Sequence, residues 1–298
     1  MLERIEGNEE LKQSLKAALG AGRLSNSVLL CGETGCGVGF AARCLAADYL
    51  FAAGGPAAEA VLEGRSPECL EVRGQGARGE ILVGQARQAR ASVYETALSA
   101  AGRVVIFYGA HRMNPSAANA LLKVLEEPPA GVLFLLTAPG AAGVLATIRS
   151  RCGQYTVAPV SAGACEAYLK KNFPGCRDAA LLAAVSAGRI GWAARIAADE
   201  AARRTLDTAL EAARAAAGAD RYGLLRLLSA FEKDRAAAGR LLEDLAAIGA
   251  AALEGADLGL GRPDAGRIAA AAARARRDLD RNLNQKLLLT RLAGELAG

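Results

Sequence analysis

Along the first 157 residues, short apolar runs alternate with segments whose apolar residues recur every three or four positions. Ser27 to Cys31 (SVLLC), Arg103 to Phe107 (RVVIF) and Val132 to Thr137 (VLFLLT) are too short and too uniformly apolar for surface helices. They predict buried strands, as does Cys69 to Val72. Asn8 to Ala21 places Leu11, Leu15, Ala18 and Leu19 on one face and predicts an amphipathic helix. Further helices are expected from about Gly39 to Phe51 and over most of Ile81 to Leu98. Asn114 is placed to cap a helix whose first residue is Pro115 and which stops before Pro128 and Pro129. Ala52 to Gly64, with Gly54, Gly55 and Pro56, reads as loose. Wholly apolar strands separated by helices imply an α/β domain whose parallel sheet is covered on both faces.

Beyond about Val157 the pattern changes. Only Pro159, Pro174 and Pro263 interrupt a chain rich in Ala, Leu and Arg. Ser161 to Ala198 suits a small helical unit with breaks near Pro174 and Gly188 to Gly191. Ala201 to Gly298 reads as an all-α bundle whose core faces come from Leu206, Leu210, Leu224, Leu227, Leu241, Leu245 and Leu287 to Leu289. The expected domains are therefore 1–157, 158–200 and 201–298.

Composition narrows the chemistry. The 298 residues carry 36 Lys and Arg against 31 Asp and Glu, a net charge of +5 that permits an acidic partner without requiring one. His111 is the single histidine, which excludes His-rich zinc chemistry. The seven cysteines include no CxxC pair, so neither a disulfide framework nor a four-thiolate zinc site is expected, and reduced thiols fit the cytoplasm. The charged N-terminal segment lacks the apolar run of a signal peptide. The uncharged stretch Ala130 to Ile148 is broken by Gly131, Pro139, Gly140 and Gly143, so no membrane span is expected.

Three constellations bear on function. Gly32-Glu33-Thr34-Gly35-Cys36-Gly37-Val38-Gly39 lies between a strand and a helix, where glycines let backbone N–H groups converge on a phosphate. A working loop reads GxxxxGK[ST]. Val38 takes the lysine position and Gly39 the hydroxyl position, so the point charge and the magnesium-bound hydroxyl are both missing. The strand Arg103 to Phe107 should lead into carboxylates for magnesium and water, and Tyr108 and Gly109 stand in those places, with His111 closing the segment. The two halves of one nucleotide site are degraded together. The third constellation is Asn119 to Pro129 (NALLKVLEEPP), followed by Ala146-Thr147-Ile148-Arg149-Ser150-Arg151-Cys152.

The order of these segments, above all LLKVLEEPP with Ser150-Arg151-Cys152, resembles the bacterial DNA polymerase III clamp-loader subunits of the AAA+ family. The degraded motifs resemble its non-hydrolysing branch rather than the gamma/tau ATPases. The resemblance is strong over 1–157, weaker over 158–200, and returns near Arg281 to Leu287. It implies a RecA-like AAA+ domain, a small helical lid and a helical collar. It implies partners as well: gamma/tau and delta subunits through the C-terminal collar, with the sliding clamp and primer–template DNA engaged indirectly. In this family the SRC arginine, here Arg151, reaches the γ-phosphate of ATP held by a neighbouring subunit. A permanently charged guanidinium fork suits that task. The chain departs from the family in three ways. Ala52 to Gly74 holds only Cys69, so no zinc is expected. In the lid, Gly191 stands where a sensor arginine would, with Arg189 and Arg195 displaced. The loop Gly32, Gly35, Gly37, Val38, Gly39 is expected to be inactive, binding ATP, ADP or phosphate weakly at most.

Blander readings stand beside these. Arg149 reads as a supporting or DNA-facing charge, and Lys123, Glu126 and Glu127 as a solvated helix face. His111 reads as a local hydrogen-bonding group, Cys36 as a small loop residue and Trp192 as core packing. Arg87 to Arg90 and Arg274 to Arg281 read as solvated basic faces. Two rival functions remain: an ATP-hydrolysing gamma/tau-like subunit, and an AAA+-like scaffold outside replication.

Overall fold

The computed structural model describes residues 1–75, 79–94, 102–281 and 283–298. It divides into two compact units, Met1–Val160 and Ser161–Gly298.

The first unit runs α1 (Glu9–Gly20), β1 (Ser27–Cys31), α2 (Val38–Leu50), α3 (Pro56–Leu62), β2 (Cys69–Arg73), α4 (Val83–Ser92), β3 (Arg103–Tyr108), α5 (Pro115–Glu126), β4 (Val132–Ala138), α6 (Ala146–Arg149) and β5 (Gly153–Thr156). The five strands form one parallel sheet in the order β2-β3-β4-β1-β5. Alternate side chains point to opposite faces. Val28, Leu30, Val104, Ile106, Leu133 and Leu135 bury against α1, α2 and α3. Leu29, Cys31, Val105, Phe107, Phe134 and Leu136 bury against α4 and α5. Both faces are covered, which is why these strands read as apolar runs rather than alternating ones. Chain order reverses around β1: its outgoing connection crosses to the far edge at β2, whereas that from β4 crosses to β5. Open α/β sheets hold ligands at the carboxyl ends of strands beside such a reversal.

Asn114 caps α5 by accepting from the Ala117 amide at 2.8 Å, with Pro115 in the first turn. Two elements depart from expectation. The segment expected to be loose contains α3, which starts at Pro56 and buries Ala58, Val61 and Leu62; proline at a first helical position starts a helix rather than breaking one. The edge strand β5 was hidden because its half-exposed GQYT lacks an apolar run. Residues 95–98 of the helix expected over Ile81 to Leu98 lie outside the described residues. Asn8, in the left-handed region at φ 54°, clasps the far end of the unit. Its side-chain amide donates to the Ala158 carbonyl at 3.1 Å and accepts from the Ala158 amide at 2.8 Å.

The second unit is all helical: α7 (Ala162–Asn172), α8 (Ala179–Ser186), α9 (Ile190–Ala198), α10 (Glu200–Ala217), α11 (Arg221–Ser229), α12 (Arg235–Leu253), α13 (Arg262–Asp280) and α14 (Gln285–Ala297). Ser161, Asp199, Asp220, Asp234 and Asn284 each cap a helix through the side-chain oxygen. The expected border near 200 falls at the junction of α9 and α10, which pack on each other. The alanine-rich composition has a packing reason. A Cβ on Gly249 of α12 would stand 2.7 Å from the Ala265 carbonyl and the Ala269 amide of α13, so these helices approach along small residues. Leu206, Leu210, Leu224, Leu241, Leu245, Leu288 and Leu289 are buried as expected. Leu287, expected in the core, faces outward, and Leu228 rather than Leu227 fills the core from α11. Among the described residues no helix is long and apolar enough to cross a membrane.

Candidate functional site

The loop from Gly32 to Gly39 joins β1 to α2 at the carboxyl edge of the sheet. Its glycines are needed for reasons independent of any ligand. A Cβ on Gly32 would stand 2.4 Å from the Val157 carbonyl oxygen. Gly35 and Gly37 hold φ of 98° and 87°, and Gly37 is the N-cap of α2. The Cys36 amide donates to the Glu33 carbonyl at 3.0 Å. Val38, in the lysine position, packs against the core on the α1–α3 face.

The structure brings the two degraded motifs together. A Cβ on Gly39 would lie 3.0 Å from Cε1 of Tyr108, so the edge of the tyrosine ring closes the space into which a side chain at position 39 would grow. The ring is pinned there. Its hydroxyl donates to Glu71 Oε1 at 2.9 Å. Arg43 of α2 donates Nε to the same oxygen at 2.5 Å and Nη2 to Glu71 Oε2 at 2.9 Å. Arg43 Nε also lies 3.2 Å from the tyrosine oxygen, and Nη1 donates to the Leu62 carbonyl at 2.9 Å. Arg73 donates to Glu71 Oε2 at 2.9 Å and lays its guanidinium 3.8 Å from the centre of the Tyr108 ring. Burial alone would raise the Glu71 carboxyl, but the hydrogen bonds from Arg43, Tyr108 and Arg73 outweigh it and hold the group below its ordinary value. Burial, then the Glu71 charge, push the Tyr108 phenol up. Hydrogen bonding to Glu71 pushes the Arg43 guanidinium up, against desolvation.

Gly109, in the other carboxylate position, donates its amide to the carbonyl and hydroxyl oxygens of Thr137, both at 3.1 Å. His111 differs from its expected role as a hydrogen-bonding group: Nδ1 is buried without a hydrogen-bond partner, and burial and then the Arg112 charge lower its pKa. Among the described residues no cluster of His, Cys, Asp and Glu could hold a metal ion. The residues around Gly39 do not fit a magnesium-bound nucleotide: the hydroxyl is absent, the nearby carboxylate is engaged, and an aromatic ring fills the space.

Ser150-Arg151-Cys152 lies between α6 and β5. Ser150 turns its hydroxyl back to the Thr147 carbonyl at 3.3 Å, and burial pushes the Cys152 thiol up to about 12, so neither is poised as a nucleophile. Arg149 donates to the Ala141 carbonyl at 3.2 Å, which supports the loop before it. Arg151 is partly exposed. It donates Nε to Glu126 Oε2 at 3.2 Å and Nη1 to the Thr147 carbonyl at 3.1 Å, and its Nη2 lies 3.1 Å from Glu126 Oε2 as an ion pair. Glu126, expected on a plain solvated face, thus reaches the one arginine singled out.

In the second unit Trp192 is buried, as expected of core packing, and Arg189 lies 5.7 Å from the centre of its ring while donating to the Ser186 carbonyl at 2.8 Å. Asp244 of α12 is 1% exposed, and among the described residues neither carboxylate oxygen accepts a hydrogen bond of full geometry, Trp192 making only a weaker polar contact. Burial raises it to about 7, against the charges of Arg195 and Arg189 and the pull of Trp192. In the basic stretch near the C-terminus, Arg274 pairs with Glu295 at 3.3 Å and Arg276 with Glu243 at 2.9 Å. Asn282 of the C-terminal motif lies outside the described residues.

Sequence reasoning missed Arg43, Glu71 and Glu126. Glu71 carried a signal: a carboxylate between Leu70 and Val72, in a strand that buries Cys69 and Val72, calls for a partner. Glu126 carried another, an acidic residue in the last turn of a helix, where the dipole disfavours it.

Residues 7–161 match the family described as DNA polymerase III, delta subunit. Over 169 residues the chain is 32% identical to the DNA polymerase III subunit delta' of Escherichia coli K12, covering 56% of this chain and 50% of that protein. Over 73 residues it is 47% identical to subunit delta' of Haemophilus influenzae, covering 24% and 22%. Over 159 residues it is 33% identical to subunit gamma/tau of Mycobacterium tuberculosis H37Rv, covering 51% and 27%. The chain thus spans half or less of the length of these curated relatives. A DNA polymerase III gamma subunit-related protein from Thermotoga maritima shares the fold at a TM-score of 0.60 and 18% identity, over 95% of this chain and 98% of that one.

Proposed function

The chain belongs to the DNA polymerase III delta-subunit family as a delta-prime-like clamp-loader subunit, and from that premise we propose that it hydrolyses no ATP itself and serves a neighbouring ATPase subunit through Arg151. The observation that carries the first part is the Tyr108 ring over Gly39, held by Glu71 and Arg73. A magnesium-bound nucleotide would call on a hydroxyl at position 39 and a carboxylate at the end of β3; Gly39, Tyr108 and Gly109 supply neither, and the nearby Glu71 carboxylate is taken by Arg43, Arg73 and Tyr108. Arg151 supports the second part: it is accessible, permanently charged, and keeps terminal N–H bonds that no group among the described residues accepts.

In this reading residues 158–200 form the lid and 201–298 the collar through which gamma/tau and delta subunits assemble in the cytoplasm. The sliding clamp and primer–template DNA are engaged by the complex. The guanidinium would stabilise charge on the transferring phosphoryl group of ATP bound to the neighbour.

The test is a loader reconstituted with Arg151→Ala and Arg151→Lys. Alanine is expected to slow hydrolysis at the neighbouring site by roughly 10³-fold or more, the scale of such arginines elsewhere. Lysine should restore little, since it keeps the charge and loses the fork. Unchanged DNA-stimulated hydrolysis with alanine would end the trans-arginine reading. Turnover of Mg-ATP by the purified chain alone would end the non-hydrolysing one.

A further inference from the structure

Glu126 is the last residue of α5, and Glu127 follows it. A carboxylate there meets the negative end of the helix dipole, which disfavours it, so the local helix gives no reason for Glu126 to be acidic. Its contact is with Arg151, 25 residues on in the chain: Nε donates to Glu126 Oε2, and Nη2, on the same edge of the guanidinium, lies 3.1 Å from that oxygen as an ion pair. The Thr147 carbonyl takes a second hydrogen bond, from Nη1. A guanidinium has five N–H bonds. Two are donated to groups among the described residues, and the three left all lie on the terminal nitrogens. Glu126 and Thr147 therefore hold the side chain by its flank and leave terminal donors for another group.

We propose that Glu126 is the positioning residue of Arg151, orienting its guanidinium so that the terminal N–H bonds meet an anionic phosphate oxygen carried by a second chain. This rests on the reading of Arg151 as a trans-acting group. A long side chain free to rotate must be ordered when the phosphate arrives, whereas one held beforehand loses less freedom at that moment. Using a single carboxylate oxygen on an exposed surface keeps the hold modest, so the contact orients the arginine without competing strongly with a doubly charged phosphate.

The experiment uses the reconstituted loader with Glu126→Gln, Glu126→Ala and Glu126→Asp, each also combined with Arg151→Ala. Partner ATPase kcat and KM, complex assembly and thermal unfolding of the chain are measured. Gln and Ala are expected to lower kcat by roughly three- to tenfold with KM and assembly unchanged. Asp should recover part of the loss. In the Arg151→Ala background the Glu126 changes should have no further effect, which a merely structural role would not produce. The proposal is overturned if Arg151→Ala lowers kcat while the Glu126 variants do not, if they raise kcat, or if their loss persists without the arginine. An Arg151→Ala variant with full activity overturns the trans-arginine reading and this one with it, so the two failures are distinguishable.

Discussion

Two corners of the first unit handle their arginines in opposite ways. At the carboxyl edge of the sheet, Arg43 gives its donors to Glu71, Tyr108 and the Leu62 carbonyl, and Arg73 covers the ring. At the Ser150-Arg151-Cys152 turn, Arg151 is held by one flank and leaves terminal donors open. Similar chemistry is inward in one place, with all three guanidinium nitrogens of Arg43 hydrogen-bonded, and outward in the other, with only Nε and Nη1 of Arg151 hydrogen-bonded among the described residues. The difference teaches that the space beside Gly39 is not a hollow. Tyr108 occupies it and forms a strut between β2, β3 and α2, while Arg151 keeps its open donors on a different surface.

The comparison breaks most directly at Glu71. Glu71→Ala leaves the partly buried Arg43 and the Tyr108 hydroxyl without their acceptor and should lower the unfolding free energy by about 2–3 kcal/mol, discounted for the partial exposure of the cluster. Its pH dependence is defined. Because the native carboxyl is held below its unfolded value, its contribution is present above the unfolded pKa and is lost as pH falls through the native one. Denaturant titration should show wild type and variant converging in acid. A gap that persists there would mean the network is held by packing rather than charge.

Asp244 in the second unit sharpens the same contrast with a buried carboxylate that no hydrogen bond of full geometry reaches among the described residues. Its native pKa, raised to about 7, makes the sign the reverse. Stability should fall as pH rises from about 4 to about 7 and level off above. Asp244→Asn should therefore be more stable than wild type by roughly 1–3 kcal/mol at pH 8, with the difference closing towards pH 4. Melting curves across that range check it, and a difference independent of pH would contradict it.

The smallest effect is expected at Gly39. Gly39→Thr restores a hydroxyl in name but drives its Cβ against Tyr108. It should cost about 1–2 kcal/mol. Combining it with Tyr108→Ser should remove most of that cost, and an additive double variant would show that the ring yields freely.

Much of the fold was legible because its strands are buried on both faces: SVLLC, RVVIF and VLFLLT admit few other readings. The cap Asn114 marked a helix start through short-range chemistry. The edge strand β5 was not legible, since one neighbour and half-exposed residues leave no periodic signature. Leu287 misled because a run of three leucines does not say which one turns outward; Leu288 and Leu289 do the packing. At the candidate site, absent lysine, hydroxyl and carboxylates were readable as departures from a pattern. What replaced them was not, because Tyr108, Glu71 and Arg43 lie on three elements brought together only by the strand order.

The clasp between Asn8 and Ala158 has a practical meaning for anyone cutting this chain. One side-chain amide imitates a backbone pairing and fastens residue 8 to residue 158, so the two ends of the sheet-bearing unit meet. Such a unit can be excised as a cassette or reopened elsewhere, since a short linker would rejoin the old ends. A cut that removes Asn8 discards the fastener along with the tail.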